Sequence, residues 1–365
     1  MKLKIYLIVG ARPNFMKSAP LIRELHKHDD KFVTKLIHTG QHYDKNLSQL
    51  FFDQLKMPKP DLYLGVGSGS HAEQTAKIMI GLEQIFSGDH PDLVVVFGDV
   101  NSTLATAIVA AKLNIKLSHV EAGLRSFDNT MPEEINRIVT DRLSDLLFVT
   151  EQSGLDNLVH EGVDKSKIFF TGNIMIDSLV ANMDFARKSD ILYKLGLKSR
   201  EYVAVTMHRP ANVDTPEMLK KLVHVLTEIS GKIPVIFPCH PRTMKNLQAF
   251  GFADLTDGDR LKITEPLGYI DFLKIQSEAR FVLTDSGGVQ EETTFLKIPC
   301  LTLRENTERP VTVDIGSNTL IGLHPDKIIP AADKILSGQY KSGNIPELWD
   351  GRTAGRIVKI LLEKL

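Results

Sequence analysis

The sequence predicts an α/β protein of two domains, each a parallel β-sheet covered by helices on both faces, and three observations lead there. A chain of 365 residues is longer than one ordinary core organises, which makes two domains the prior. Short, continuously apolar runs alternate with stretches of helical period, the pattern of strands buried on both sides. The alternation pauses once, over residues 173–196, and then restarts.

The first half opens with the run KIYLIV at residues 4–9, a strand, and GARPNFMKSAPLIREL then turns into a helix with Leu21, Ile22 and Leu25 on one face. Further strands are expected at Phe32 to His38, Leu93 to Phe97, Lys116 to Val120, Leu146 to Val149 and Ile168 to Thr171. Helices fall between them, at about Lys45 to Leu55, Ala72 to Phe86, Thr103 to Lys112, Glu133 to Leu143 and Ser153 to Glu161. The second half places strands at Tyr202 to Thr206, Val235 to Pro238, Leu261 to Ile263, Phe281 to Leu283, Cys300 to Leu303 and Thr319 to Ile321. Residues 1–172 thus form one expected domain and 173–352 a second. The final stretch, Thr353 to Leu365, is an amphipathic helix with Ile357, Ile360, Leu361 and Leu365 apolar. Two open parallel sheets are expected to face a cleft at their carboxyl edges, where ligands of such sheets sit.

Composition bounds the function. Apolar content of 42% and 24% charged residues are those of a soluble globular chain. With 44 basic against 45 acidic side chains, no net field points to nucleic acid or an anionic membrane, so any anion site must be local. The opening MKLKIYLIVG runs straight into ARPNFMK, with no A-x-A cleavage pattern and no apolar run of ~20 residues, which reads as a cytoplasmic chain. Cys239 and Cys300 stand far apart in apolar contexts and read as core thiols. No cluster of metal ligands is visible.

The chemistry gathers after strands. Arg280 to Glu292, RFVLTDSGGVQEE, reads as a strand, a tight turn over Asp285 to Gly288, and a helix opening at Val289. Ser286, Gly287 and Gly288 leave room for a ligand against the backbone, and the unpaired N–H groups of a helix's first turn favour a phosphate. Carboxylates there would repel it, so Glu292 must point elsewhere, and a ribose hydroxyl pair is its expected target. Other strands are followed by Arg12 and Lys17, by Gly40, Gln41 and His42, by Gly98 and Asp99, and by His119, Glu121, Gly123 and Arg125. In the second half come His208 and Arg209, His240 and Arg242, and Arg304, Glu308 and Arg309. Carboxylates that exchange protons, with cations and N–H groups that hold a diphosphate, suit chemistry on a nucleotide-linked sugar. Bland roles compete: Glu133 and Glu134 also suit a helix start, and Arg309 also suits a salt bridge to Glu308 or Glu305.

GARPNFMK, GDVNSTLA, HVEAGLRS, MPEEINR, LTDSGGVQEE and LRENTERP resemble, in order and spacing, the motif series of the non-hydrolysing UDP-N-acetylglucosamine 2-epimerases. The resemblance covers nearly the whole chain. It implies two Rossmann-like domains of the GT-B type, a carboxyl-terminal helix crossing back onto the first domain, a homodimer, a UDP-sugar substrate, and neither metal nor redox cofactor. On the matching motifs it implies Asp99, Glu121 and Glu133 as acid/base carboxylates and His208 near the diphosphate and sugar. Arg12, Ser286, Gly287, Gly288, Glu292 and Arg309 would hold UDP, with Lys17, Gln74 and Arg137 nearby. The set has a physical logic. A sugar C2 proton has no adjacent carbonyl, so direct deprotonation is very unfavourable, whereas expelling UDP from C1 as the proton leaves avoids the carbanion.

The chain departs from the pattern in two places. Many bacterial members have His-Arg-Arg-Glu-Asn where this chain has His208, Arg209, Pro210, Ala211 and Asn212, and an Arg where Glu73 precedes Gln74 and Thr75. Gln41, His42 and His240 remain as contacts for a second, activating nucleotide sugar of the kind those members bind, and the negative charge of Glu73 argues against dependence on it. The departures also leave room for a 2,3-diacetamido uronate sugar as substrate. Competing expectations are a hydrolysing 2-epimerase, a GT-B glycosyltransferase and a non-catalytic nucleotide-sugar binder.

Overall fold

The computed structural model describes residues 2–41, 57–252, 257–258 and 260–365. His42 and the helix expected over Lys45 to Leu55 lie outside the described residues. The chain divides into a first unit, Met1–Ala181 with Glu347–Leu365, and a second, Asn182–Pro346.

In the first unit the described strands form a seven-stranded sheet: β1 (Leu3–Val9), β2 (Phe32–His38), β3 (Leu62–Tyr63), β4 (Leu93–Phe97), β5 (Lys116–Ala122), β6 (Leu146–Val149) and β7 (Ile168–Phe170). They run parallel in the order β3-β2-β1-β4-β5-β6-β7. All five residues of β4, LVVVF, are fully buried, as a strand covered on both faces requires. The order reverses between β1 and β4, the switch point at whose carboxyl edge such sheets bind ligands. One strand is irregular: the β5–β6 register shifts between Val120 and Ala122, and Glu121 between them has φ 80°. It is a bulge carried by a residue that pays a steric penalty there.

The second unit repeats the plan with β8 (Val203–Thr206), β9 (Val235–Pro238), β10 (Asp257–Gly258), β11 (Leu261–Thr264), β12 (Phe281–Thr284), β13 (Cys300–Thr302) and β14 (Asn318–Leu320). Their order is β10-β11-β9-β8-β12-β13-β14, parallel except for the antiparallel β10–β11 edge. The switch point here lies between β8 and β12, next to the SGG turn. Cys239 and Cys300 are free and buried, and burial pushes their thiols up to about 12 and about 11.

Two boundaries differ from the sequence expectation. The helix Ile174–Lys188 begins inside the first unit, with Ile174, Ile176 and Leu179 buried and the Ser178 hydroxyl donating to the Met16 carbonyl. The chain also returns to that unit before its last helix, because the buried Trp349 donates its indole N–H to the Thr150 carbonyl at 2.9 Å. The last helix, Thr353–Lys364, packs on Arg12–Leu25. Its own sequence supplies no side-chain cap, and Asp177 serves instead, accepting from the N–H groups of Thr353 at 3.0 Å and Ala354 at 2.8 Å.

Candidate active site

At the carboxyl edge of the first sheet the loops interlock through short polar side chains. Arg12 opens the helix Arg12–Leu25. Asn14 accepts from the N–H groups of Gly10 and Ala11, both at 3.1 Å, and donates to the Phe97 carbonyl at 2.9 Å, tying the loop after β1 to the end of β4. Gly10 must be glycine, since a Cβ there would lie 2.1 Å from Ser102 Oγ. Gln41 accepts from the Ser102 N–H at 3.0 Å and hydroxyl at 2.7 Å. Gln74 donates to the Gln41 and Gly67 carbonyls at 3.2 and 3.1 Å and accepts from Asn101 at 2.9 Å. Both glutamines therefore brace loops.

Three carboxylates were expected here. Glu121, 4% exposed, forms an ion pair with Lys17, which reaches it from one turn inside the helix Arg12–Leu25. The pair lies against Gly98, where a Cβ would meet Lys17 Nζ at 2.8 Å. Asp99 follows Gly98; its Oδ2 accepts from Arg137 Nη1 at 2.9 Å and its carbonyl from Asn136 at 2.8 Å. Glu133 sits exposed in the first turn of the helix Pro132–Leu143. Its neighbour Glu134 is buried and accepts from the Ser126 N–H and hydroxyl, the Phe127 N–H and Arg137 Nε. Successive helical residues point about 100° apart, so one acid is structural and the other faces solvent.

Of the residues assigned to post-strand loops, His119 instead lies inside its strand, and Arg125 does follow β5 but with its side chain buried in ion pairs. His119 is fully buried within β5, and Arg125 is buried between Asp141, 2.7 Å away, and Glu161, which it meets with two bonds at 2.7 and 2.8 Å. Glu73 also has a structural duty. It closes a capping box with Ser70, and the Ser70 N–H holds its carboxyl below the usual value, so its charge is engaged at the helix start.

In the second unit the helix after β12 begins at Gly287, not Val289, with Ser286 as its N-cap residue and the strand extending to Thr284. A Cβ on Gly287 would meet Arg309 Nη1 at 2.9 Å and Glu308 Oε1 at 3.0 Å, so the glycine admits Arg309 to the helix start. Arg309 donates to Glu291 Oε1 at 2.6 Å and to Glu308 Oε1 at 2.5 Å. Glu292 points inward, where its carboxylate accepts from the Tyr269 hydroxyl at 3.0 Å and Gln276 Nε2 at 2.6 Å. The helix's first turn therefore holds no acid, and Glu291 and Glu292, one turn further in, are engaged by Arg309 and by Tyr269 and Gln276.

His208, 46% exposed at its side chain, has Nδ1 3.2 Å from Asp285 Oδ1. Its backbone N–H and that of Arg209 also donate to the fully buried Asp285, as does Asn212. Burial alone would push that carboxyl up, but His208 and these donors hold it below its ordinary value. His240 caps the helix Pro241–Ala249 through the Arg242 N–H, with its ring centroid 6.3 Å from that of His208. Sequence reasoning missed Asp285 as the residue that fixes His208; its place directly after a buried strand was the available signal. Among the described residues no three His, Cys, Asp or Glu side chains converge to hold a metal ion, and no helix is long and apolar enough to cross a membrane.

Comparison with known proteins agrees with this geometry. The sequence model of the family described as UDP-N-acetylglucosamine 2-epimerase matches residues 23–362. A Methanocaldococcus jannaschii protein named UDP-N-acetylglucosamine 2-epimerase is 43% identical over 98% of this chain and 99% of its own. A Pseudomonas aeruginosa protein named UDP-2,3-diacetamido-2,3-dideoxy-D-glucuronate 2-epimerase is 37% identical, with 100% of each chain covered. The crystal structure of the M. jannaschii UDP-GlcNAc 2-epimerase in complex with UDP-GlcNAc and UDP matches with a TM-score of 0.91 at 43% identity, over 99% of this chain and 100% of that one. Two Rossmann-like sheets, a motif series running from Gly10 to Pro310 and these relatives agree: the chain belongs to the UDP-N-acetylglucosamine 2-epimerase family.

Proposed function

We propose that this protein interconverts UDP-N-acetylglucosamine and UDP-N-acetylmannosamine at C2 without hydrolysis. The observation that carries the reading is Glu121, a buried carboxylate at the carboxyl edge of the sheet, paired with Lys17 and held at φ 80° on a bulge, a strained conformation of the kind that clusters at active sites. A carboxylate takes the C2 proton as the C1–O bond breaks, its electron pair leaving with UDP and the C2–H pair forming the C1=C2 bond of a 2-acetamidoglucal. Protonation of C2 from the other face and return of the UDP oxygen to C1 invert the centre. Asp99, Glu121 and Glu133 in the first unit are the proton carriers. In the second unit the Ser286-Gly287-Gly288 helix start, Arg309 and His208 stabilise the departing diphosphate. The homodimer and the cytoplasmic setting expected from the resemblance belong to the same proposal.

The 37% identity to the diacetamido glucuronate enzyme favours one second reading, a 2-epimerase of that uronate sugar. Proton NMR of each UDP-sugar in D2O decides. New UDP-sugar with deuterium at C2 from UDP-N-acetylglucosamine supports the proposal, and turnover of the uronate sugar alone moves it to the second reading. Free sugar would mean hydrolysis, and no change in either substrate would overturn both.

A further inference from the structure

Behind the first unit's carboxylates lies a closed polar network that proton transfer itself does not use. Asp141, in the helix Pro132–Leu143, is buried, with Oδ1 2.6 Å from His119 Nδ1. Its Oδ2 accepts from the Gly123 N–H at 3.0 Å and Arg125 Nη1 at 2.7 Å. His119 Nε2 lies 2.8 Å from the Gly98 carbonyl. Burial raises the cost of a charged Asp141, yet His119 and Arg125 hold its carboxyl below the ordinary value, so it is an acceptor. The ring of His119 thus spans two oxygens, one of Asp141 and one of the Gly98 peptide.

The network ends on two peptide groups. One is Gly98–Asp99, the other Ala122–Gly123, the second peptide after Glu121. Gly98 at φ 60° and Gly123 at φ 81° adopt conformations that glycine leaves shallow, so external bonds choose among the alternatives. Gly98 is fastened to β5 on both sides, by its N–H to the Val120 carbonyl at 3.0 Å and by its carbonyl to His119. The helix that supplies Asp141 also supplies Arg137 and Asn136 to Asp99 and carries Glu133. One buried pair thus governs the direction of the backbone beneath two of the three carboxylates.

We infer that His119 and Asp141 are positioning residues for the C2 proton transfer, an inference that rests on the epimerase assignment and deepens it. The test separates the two arms of the histidine in the full chain. His119→Asn keeps a donor near the Nδ1 position, toward Asp141, and withdraws the bond to Gly98. His119→Gln reaches the Gly98 carbonyl without the Asp141 bond. A carboxylate misplaced by about 1 Å costs on the order of 100-fold, so His119→Asn should lose about 100-fold in kcat with KM nearly unchanged, and His119→Gln should regain most of it. Equal kcat in the two variants, or a rise in KM matching the loss in kcat, would reduce the pair to a fold element and overturn the inference. If His119→Asn does not fold, His119→Gln decides alone: kcat within about tenfold of wild type supports positioning, and a 100-fold loss refutes it. A wild-type protein inert on both UDP-sugars would sink the epimerase assignment separately. Crystal structures of the variants then decide the positioning: a Gly98–Asp99 peptide displaced in His119→Asn and native in His119→Gln supports it, and one unmoved in His119→Asn overturns it.

Discussion

The strain at Glu121 can be measured apart from the loss of its carboxylate by comparing Glu121→Ala with Glu121→Gly. Both variants remove the same charge and leave the Lys17 ammonium, itself 6% exposed, without its partner. Removing one member of a buried pair costs about 3–5 kcal/mol, and that cost is common to both. They differ in the backbone. At φ 80° an L-residue carries a penalty of about 1–2 kcal/mol that glycine escapes. In an ordinary strand the order reverses, because glycine loses about 0.5–1 kcal/mol to alanine through chain entropy. Glu121→Gly should therefore be the more stable variant by about 1 kcal/mol at this position, read as the shift in the first unit's urea midpoint. A Glu121→Ala protein more stable than Glu121→Gly would refute the left-handed bulge and, with it, the observation on which the functional proposal leans. Adding Lys17→Met to Glu121→Gly should recover most of the shared loss, and neither variant should exchange the C2 hydrogen.

Two further predictions concern the second unit. Arg309→Ala should weaken UDP binding by about 10-fold or more, as expected for charge-assisted bonds, and Gly287→Ala should do the same by pushing Arg309 from the helix start. Calorimetry with UDP showing unchanged affinity in both would leave Arg309 only its bracing of Glu291 and Glu308. Asp285 has a folded-state pKa below its ordinary 3.8, so it contributes stability that is present above that value and lost as pH falls through the lower folded value. Asp285→Asn should be less stable at pH 7 and show a flatter acid limb below about pH 4; an acid limb as steep as that of wild type would refute the linkage.

The central strands were legible because runs such as Leu93–Phe97, Leu146–Val149 and Phe281–Thr284 are almost wholly apolar, a signal that survives without any knowledge of neighbours. The pieces that escaped are those whose conformation is set from outside. Leu62–Tyr63 and Asp257–Gly258 are two residues long, below any period. Gly287 reads as a turn residue by propensity, yet it is the first residue of a helix, and its lack of a side chain leaves room for Arg309 and Glu308. Val120 looked like the end of β5, and nothing in the local sequence announces that the glutamate after it adopts a left-handed conformation inside the strand.

The candidate site divides in the same way. Asp99, Glu121 and His208 were legible because they stand at strand ends, where chemistry collects in a parallel sheet. What holds them was not: Lys17 and Arg137 were expected near the site, but their pairing with Glu121 and Asp99, like that of Asp285 with His208 and of Asp141 with the Gly123 N–H, joins distant parts of the chain. A pattern along the chain reports which residues reach the edge of a sheet, whereas a hydrogen bond between residues far apart in sequence depends on strand order and leaves no periodic trace. Adjacent identical residues make the limit clear. Glu133 and Glu134 are equal as sequence, and only the helix turn sends one to solvent and the other into the bonds of Ser126, Phe127 and Arg137.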